Sequence, residues 1–394
     1  VRDRGRYRQS IGHAWAGRDR NDIMKITGYQ LAMLKVPLKS PFRTALRTVE
    51  HMEDVFVVLE TDTGQCGYGS APATAVITGE THGSIIAAIR TMILPAIEGE
   101  DVGKLNHIVG LIQGSMVRNF SAKAAVEIAV YDLFAQSFEA PLYEILGGGE
   151  PVLSTDITIS VDCSDTMVRD AKDAVEGGFK ALKVKVGKDL QLDIERVMAI
   201  YAAVGDRALI SLDANQGWTP KQTVGALREL ESAGVELEFV EQPVRGNDLE
   251  GMKHVTERVA TPVVADESAF GPREVIELIR MRGADIINIK LMKAGGISNA
   301  IRIADIAAAF DMSCMMGCML ETSIGVAAAA HVAVAKSSSI TRIDLDAPTL
   351  ATNDPVAGGV TFDGPAITIS DAPGLGIDRI SDLSELPLDQ ASGS

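Results

Sequence analysis

Five charged residues recur along the second half of the chain at an almost constant interval. From Lys185 to Asp213 is 28 positions, from Asp213 to Glu241 another 28, then 25 to Asp266 and 24 to Lys290. Each ends a short apolar run that a helical pattern follows, so one interval is one βα unit. The candidate strands are 154–161, 181–186, 208–213, 237–241, 262–266, 285–290, 312–316 and 340–344. Eight parallel units covered by helices close an α/β barrel, and in such barrels polar residues at the C-terminal strand ends read as catalytic.

Within the second of these strands, Ala181-Leu182-Lys183-Val184-Lys185-Val186-Gly187, the lysines alternate with apolar residues. Side chains of a strand alternate between its faces, so Lys183 and Lys185 point inward together. Desolvation and mutual repulsion both favour loss of a proton there, which would make a lysine a base near neutrality. A lone Lys-x-Lys is more often a solvated edge strand; the acids that follow set it apart. Asp213, Glu241 and Asp266 project from three consecutive strand ends, an all-oxygen set suited to Mg²⁺. A single such Asp is commonly a helix N-cap. Three in succession, facing lysines on the second and sixth strands, form a metal-and-base constellation.

The first half reads differently. Strand-like residues 23–36 and 51–61, a turn at Asp62-Thr63-Gly64 and a returning strand 65–70 make an antiparallel sheet. Helical patterns at 81–98, 102–116 and 121–138 complete an α+β unit. Between the first two strands, residues 37–50 are expected to form a loop too long for a tight hairpin, carrying Lys39, Arg43 and Arg47. Such a loop serves as a lid bearing a cation for an anionic substrate, or is simply solvated.

A formal net charge of −16 argues against nucleic-acid or anionic-membrane partners. No stretch has the uninterrupted apolar length of a membrane span. Cys66, Cys163, Cys314 and Cys318 lack the spacing of a disulfide framework and read as reduced core residues of a cytoplasmic protein. Residues 1–23 are Arg-rich without the apolar core of a secretion signal, and Asp3, Asp19 and Asp22 argue against a transit peptide. They are expected to form a poorly ordered extension.

With these motifs together (Lys183-Val184-Lys185, Asp213-Ala214-Asn215 with Trp218, Glu241-Gln242-Pro243, Asp266-Glu267 and Asn288-Ile289-Lys290), the chain from Met24 onward resembles the muconate-lactonising subgroup of the enolase superfamily. The resemblance implies a modified (β/α)7β TIM-like barrel with an α+β capping domain. The expected division is a cap over 24–150, its lid at about 37–50, a barrel over 151–365 and a C-terminal segment, 366–394, packing back on the cap. It also implies one Mg²⁺ per active site on Asp213, Glu241 and Asp266, with a lysine base, the established pairing of this superfamily.

Lys185 and Lys290 would flank the substrate from opposite sides, one removing an α-proton and the other returning it, with Lys183 against the substrate carboxylate. None of the six histidines falls at a strand end, and Lys293 is expected to begin the loop before Gly295-Gly296. Asp344 and Asp346, in Thr341-Arg342-Ile343-Asp344-Leu345-Asp346, resemble the DxD pair by which dipeptide epimerases hold a free ammonium. Arg47, in Thr44-Ala45-Leu46-Arg47, resembles the lid arginine that pairs with a glutamate carboxylate in L-Ala-D/L-Glu epimerases. Thr158, Ser160, Met319 and Leu320 are expected to line the same pocket. The reading is epimerisation at the second residue of a small dipeptide, L-Ala-D/L-Glu foremost. N-acylamino acid racemisation, o-succinylbenzoate synthesis, cycloisomerisation and a non-catalytic metal-binding scaffold stay open, as does homo-oligomerisation.

Overall fold

The computed structural model describes residues 23–381 and 383–386. The extension expected over 1–23 therefore lies, but for Ile23, outside the described residues.

Three antiparallel strands open the chain: β1 (Ile26–Arg43), β2 (Thr48–Thr61) and β3 (Cys66–Pro72). Residues 37–50 are not a free loop. Both strands run into the segment as a ribbon, and only 44–47 are left at its tip. Pro37 and Pro41 suggest a break, yet the pairing absorbs them in a register shift between Pro37 and Phe42. The helix Phe120–Gln136 packs on β3, where Gly67 and Gly69 allow the close approach: a Cβ at either would collide with the carbonyl of Ala129 or Ala125. That helix is apolar around most of its circumference because it is buried on most sides. Its polar groups join cap to barrel, Glu127 accepting from Ser298 N at 2.7 Å and Asp132 from Leu375 N at 2.8 Å.

After β4 (Val152–Ser154), eight parallel strands follow: β5 (Ile157–Ile159), β6 (Ala181–Lys185), β7 (Leu209–Asp213), β8 (Val240–Glu241), β9 (Val263–Ala265), β10 (Ile286–Ile289), β11 (Ser313–Gly317) and β12 (Ile340–Asp344). They hydrogen-bond in sequence order from β5 to β12, each near its predicted place. The first is shorter than expected because Ser154 belongs to β4, which pairs with another sheet. Between β5 and β12 there is no ladder. The seam is closed by Asp156 N to Ile343 O (3.1 Å), Leu345 N to Thr155 Oγ1 (2.9 Å) and Thr158 N to Asp346 Oδ2 (2.7 Å). Lys185, Asp213 and Glu241 are direct neighbours in register, so the sequence interval becomes one row across the mouth.

Beyond the barrel come β13 (Val356–Gly358), β14 (Val360–Asp363), β15 (Ala366–Ile369), β16 (Ile377–Ile380) and β17 (Leu383–Glu385). β15 joins β14 and β4, β13 pairs with β16, and β17 adds to the cap sheet alongside β1. Among the described residues of the segment 366–394, Leu383–Glu385 pair with the cap sheet. No helix among the described residues is long and apolar enough to cross a membrane.

Candidate active site

At the C-terminal mouth of the barrel, under the tip of the β1–β2 ribbon, lies a cavity of about 60 Å³. Lys185, Lys290, Thr158, Met319, Leu320, Asp344, Asp346 and Arg47 all line it. Lys183, Asp213, Glu241 and Asp266 lie beneath, each at most 1% exposed. Ser160 does not line the cavity: its Oγ accepts from Arg43 N at 3.4 Å and helps to hold the ribbon. Sequence reasoning missed Cys318, Phe42 and the cap residues Val76 and Ile77 on the wall, which carry no distinguishing pattern, and gave no site role to Asn215, although it stands in the motif Asp213-Ala214-Asn215.

The acids meet the lysines strand by strand. Lys185 Nζ donates to Asp213 Oδ2 at 2.5 Å, and Lys290 Nζ to Asp266 Oδ2 at 2.8 Å. Lys183 donates to Asp344 and lies 2.7 Å from Glu241 Oε2, an ion pair outside hydrogen-bond geometry. Behind them, Asn288 Nδ2 donates to Glu241 Oε1 at 2.5 Å and Asn215 N to Asp213 Oδ1 at 2.8 Å. Asn215, Gln216 and Gln242 adopt left-handed backbone (φ 39°, 69° and 34°) just past the ends of β7 and β8. Non-glycine residues in that region store strain, and here it turns the chain so that Gln242 Oε1 accepts from both Asp266 N and Ser268 N. Gly317 ends β11 because an added Cβ would stand 2.5 Å from Asn288 Oδ1 and 3.1 Å from Lys290 Cε.

Four expectations need correction. Burial and repulsion were expected to lower the pKa of the paired lysines. For Lys183, burial does act downward, but Asp344, Glu241, Asp213 and Asp156 outweigh it and hold its ammonium well above the ordinary lysine value. Lys290 is also raised, with Asp266 and Glu241 outweighing burial. Lys293 does not begin a loop. It is fully buried in the short helix Leu291–Ala294, donating to Asp266 O (2.5 Å), Asn288 O (3.0 Å) and Ala269 O (3.2 Å). Of the ribbon's cations, Lys39 bonds Thr349 O at 2.8 Å and Arg43 pairs with Asp162, so both anchor the ribbon. Nor are all the cysteines core residues, since Cys163 is exposed and Cys318 borders the cavity.

Seven buried carboxyl groups (Asp156, Asp213, Glu241, Asp266, Glu267, Asp344, Asp346) surround four buried ammonium groups (Lys183, Lys185, Lys290, Lys293). The excess shows in the acids. Burial, then the charge of Asp266 and Asp213, pushes Glu267 up to about 8; burial and Asp344 push Asp346 to about 6 and Asp156 well above the carboxylate range. Asp344, despite burial, is held low by Lys183, Lys290 and Lys185. As the side chains stand, no three acids among the described residues converge on one point, each being turned to a lysine. The donor set nonetheless fits a hard divalent cation: all oxygen, on adjacent strand ends, with Glu241 Oε2, Asp266 Oδ1, Asn215 Oδ1 and both Glu267 oxygens buried without hydrogen-bond partners.

A capped parallel barrel with lysines at the ends of its second and sixth strands and acids on the three between is the enolase-type architecture. Residues 166–382 match the enolase C-terminal domain-like family, and residues 27–147 the N-terminal domain of mandelate racemase/muconate lactonizing enzymes. The chain belongs to the mandelate racemase/muconate lactonizing enzyme family of the enolase superfamily. It is 48% identical over 358 residues to an L-Ala-D/L-Glu epimerase of Clostridium acetobutylicum, covering 91% of this chain and 100% of that one. Among solved structures it resembles a substrate-liganded L-Ala-D/L-Glu epimerase from Bacillus subtilis (TM-score 0.88, 47% identity, 90% of this chain and 98% of that one). It also resembles a dipeptide epimerase from Enterococcus faecalis complexed with Mg and the dipeptide L-Leu-L-Tyr (TM-score 0.87, 42% identity, 90% and 100%).

Proposed function

We propose that the chain epimerises dipeptides at the α-carbon of the C-terminal residue, with L-Ala-D/L-Glu as its substrate, using one Mg²⁺ per site. The observation that carries this reading is that one cavity is lined together by Asp344, Asp346, Arg47, Lys185 and Lys290. Residues 24–150 act as cap and 151–365 as catalytic barrel.

Asp213, Glu241 and Asp266 would hold the ion. When bound there it supplies Lewis acidity for the substrate carboxylate and two positive charges against the excess of acids. The chain's own residues do the rest. Asp344 and Asp346 orient the substrate ammonium, Arg47 the side-chain carboxylate, and Lys183 places a fixed cation beside the carboxylate on which charge develops. With Asp213 and Asp266 engaged by the ion, Lys185 and Lys290 would lose the carboxylates that now hold their protons; a neutral lysine, Lys185 for one epimer and Lys290 for the other, then takes the α-proton, and its protonated counterpart delivers a proton to the opposite face. Thr44, Leu46 and Leu320 exclude water.

The test is deuterium uptake from D₂O with Ala-Glu. Wild type should exchange and epimerise, and chelator should stop both. Lys185→Ala and Lys290→Ala should each lose epimerisation while exchanging the α-proton of one epimer, a different one in each variant. Undiminished epimerisation in either variant rejects the two-base assignment. A second reading has one observation in its favour: Asp346 already accepts from Thr158 N, which lessens its need for a substrate ammonium. A wild-type enzyme with higher kcat/KM for N-acetyl-Glu than for Ala-Glu would establish N-acylamino acid racemisation instead.

A further inference from the structure

A second cavity, of about 410 Å³, adjoins the catalytic one. The two have Arg47 and Leu320 in common, so these side chains form the partition between them. The larger volume falls within the range, about 300–1,000 Å³, of pockets that take small-molecule ligands. Beyond the partition the wall comes from β2, with Glu50, His51 and Glu53, and from Ala73 and His82. Glu53 is already balanced by Lys35 at 2.6 Å, and His82 Nε2 lies 3.3 Å from the Glu53 carbonyl. Acids, imidazoles and a guanidinium are thus mixed along one wet wall. Such a lining suits a polar group of little net charge rather than an apolar or strongly ionic one.

We infer that this second cavity is a subsite for substrates whose C-terminal residue is extended through its side-chain carboxyl by an amide-linked residue. The inference rests on the dipeptide reading. In that reading the α-carboxylate is directed to the strand-end acids and their ion, and the amino terminus to Asp344 and Asp346. Neither end can be lengthened without leaving its partners. The side chain of the C-terminal residue is the remaining direction of growth, and it meets Arg47 at the partition. Among the described residues the Arg47 guanidinium makes no ion pair, while the backbone N–H of Arg47 is held 3.3 Å from Thr44 Oγ1. A guanidinium has five donors in a planar fork. It serves a free carboxylate and an amide carbonyl alike, so an extended substrate keeps a partner at the doorway and places its added residue beyond.

The experiment compares kcat/KM for Ala-Glu, Ala-Gln and Ala-Glu carrying glycinamide in amide linkage on the side-chain carboxyl. Wild type should turn over the glycinamide-extended substrate within about tenfold of Ala-Gln. Ala73 touches the second cavity and not the catalytic one. Ala73→Trp, which fills the second cavity, should depress the extended substrate by at least about tenfold and leave Ala-Glu and Ala-Gln within about twofold. Thr48→Trp, at another lining residue that the catalytic cavity does not share, should act alike and covers a failure of the first variant to fold. A wild-type loss of about a hundredfold or more on extension, or an equal loss for all three substrates in the filled variants, overturns the subsite while leaving the dipeptide reading standing. Failure of Ala-Glu and Ala-Gln to exchange at all overturns both.

Discussion

Lys290 and Lys293 stand three positions apart and put the same functional group to opposite uses. Lys290 reaches the cavity; Lys293 has its N–H groups taken up by three carbonyls and approaches the Asp266 carboxylate at 2.5 Å. Lys293 therefore ties the end of β10 to the segment that carries Asp266. Removing one partner of a buried ion pair leaves the other uncompensated, so Lys293→Met should lower the unfolding free energy by about 3–5 kcal/mol, read by denaturant titration. An unchanged midpoint and slope would reject that role. The strand ends were legible from sequence because a period of about one βα unit is a geometric constraint that few other folds impose. The charge states were not legible. Alternation places Lys183 inside, but only the third dimension brings Asp344, some 160 positions away, onto its nitrogen. The same holds for Lys293, whose burial no local pattern announces.

The β1–β2 ribbon is where the sequence misled and where the proposed function places specificity. By its length and its cations it reads as a loop, either a lid or simply solvated; as a ribbon it has one fixed part and one adjustable part. Arg43 with Asp162, Val161 N to Arg43 O (3.2 Å), Lys39 to Thr349 O and Thr352 N to Pro37 O (2.9 Å) pin its stem to both sides of the barrel mouth. The tip carries Arg47 on a turn closed by Thr44 N to Arg47 O at 3.0 Å. Variants at the two parts should separate. Arg47→Leu removes a cation facing a second carboxylate, a charge pair worth about 2–5 kcal/mol, and should cost Ala-Glu about 10²–10³-fold in kcat/KM while sparing Ala-Leu. Arg43→Ala, at the stem, should raise KM for both dipeptides alike. Equal losses for the two dipeptides in Arg47→Leu would withdraw the glutamate assignment and leave the fold of the ribbon untouched.

Taken whole, the molecule holds its cap and barrel together across a seam that contains two buried acids. Asp54, on β2, accepts from Thr322 N (2.9 Å) and Thr322 Oγ1 (2.7 Å), and Glu321 accepts from Met319 N (2.8 Å). Burial pushes Asp54 up to about 6 and, with the charge of Asp54 added, Glu321 up to about 8, from ordinary values of 3.8 and 4.5. The folded protein thus keeps protons that the unfolded chain has released, and stability falls as pH rises through these windows: 3.8 to about 6 for Asp54 and 4.5 to about 8 for Glu321. Together the loss is on the order of 8 kcal/mol. Melting temperature should therefore decline from pH 5 to pH 9 in wild type and decline less in Asp54→Asn and Glu321→Gln. Identical slopes in all three proteins would show that the seam does not titrate.

The cap sheet has a further property that shows only in time. Its edge strand β17 lies beside β1, with Leu383 opposite Leu34, roughly 350 residues later in the chain. At about 5–20 residues per second, a ribosome takes about 20–70 s to supply that strand after β1 has emerged. Through that interval the backbone of β1 along Ala32–Leu34 faces the cell as an open template for stray strands. The nascent chain is most in need of a chaperone at its beginning, and it is released from that need by its end.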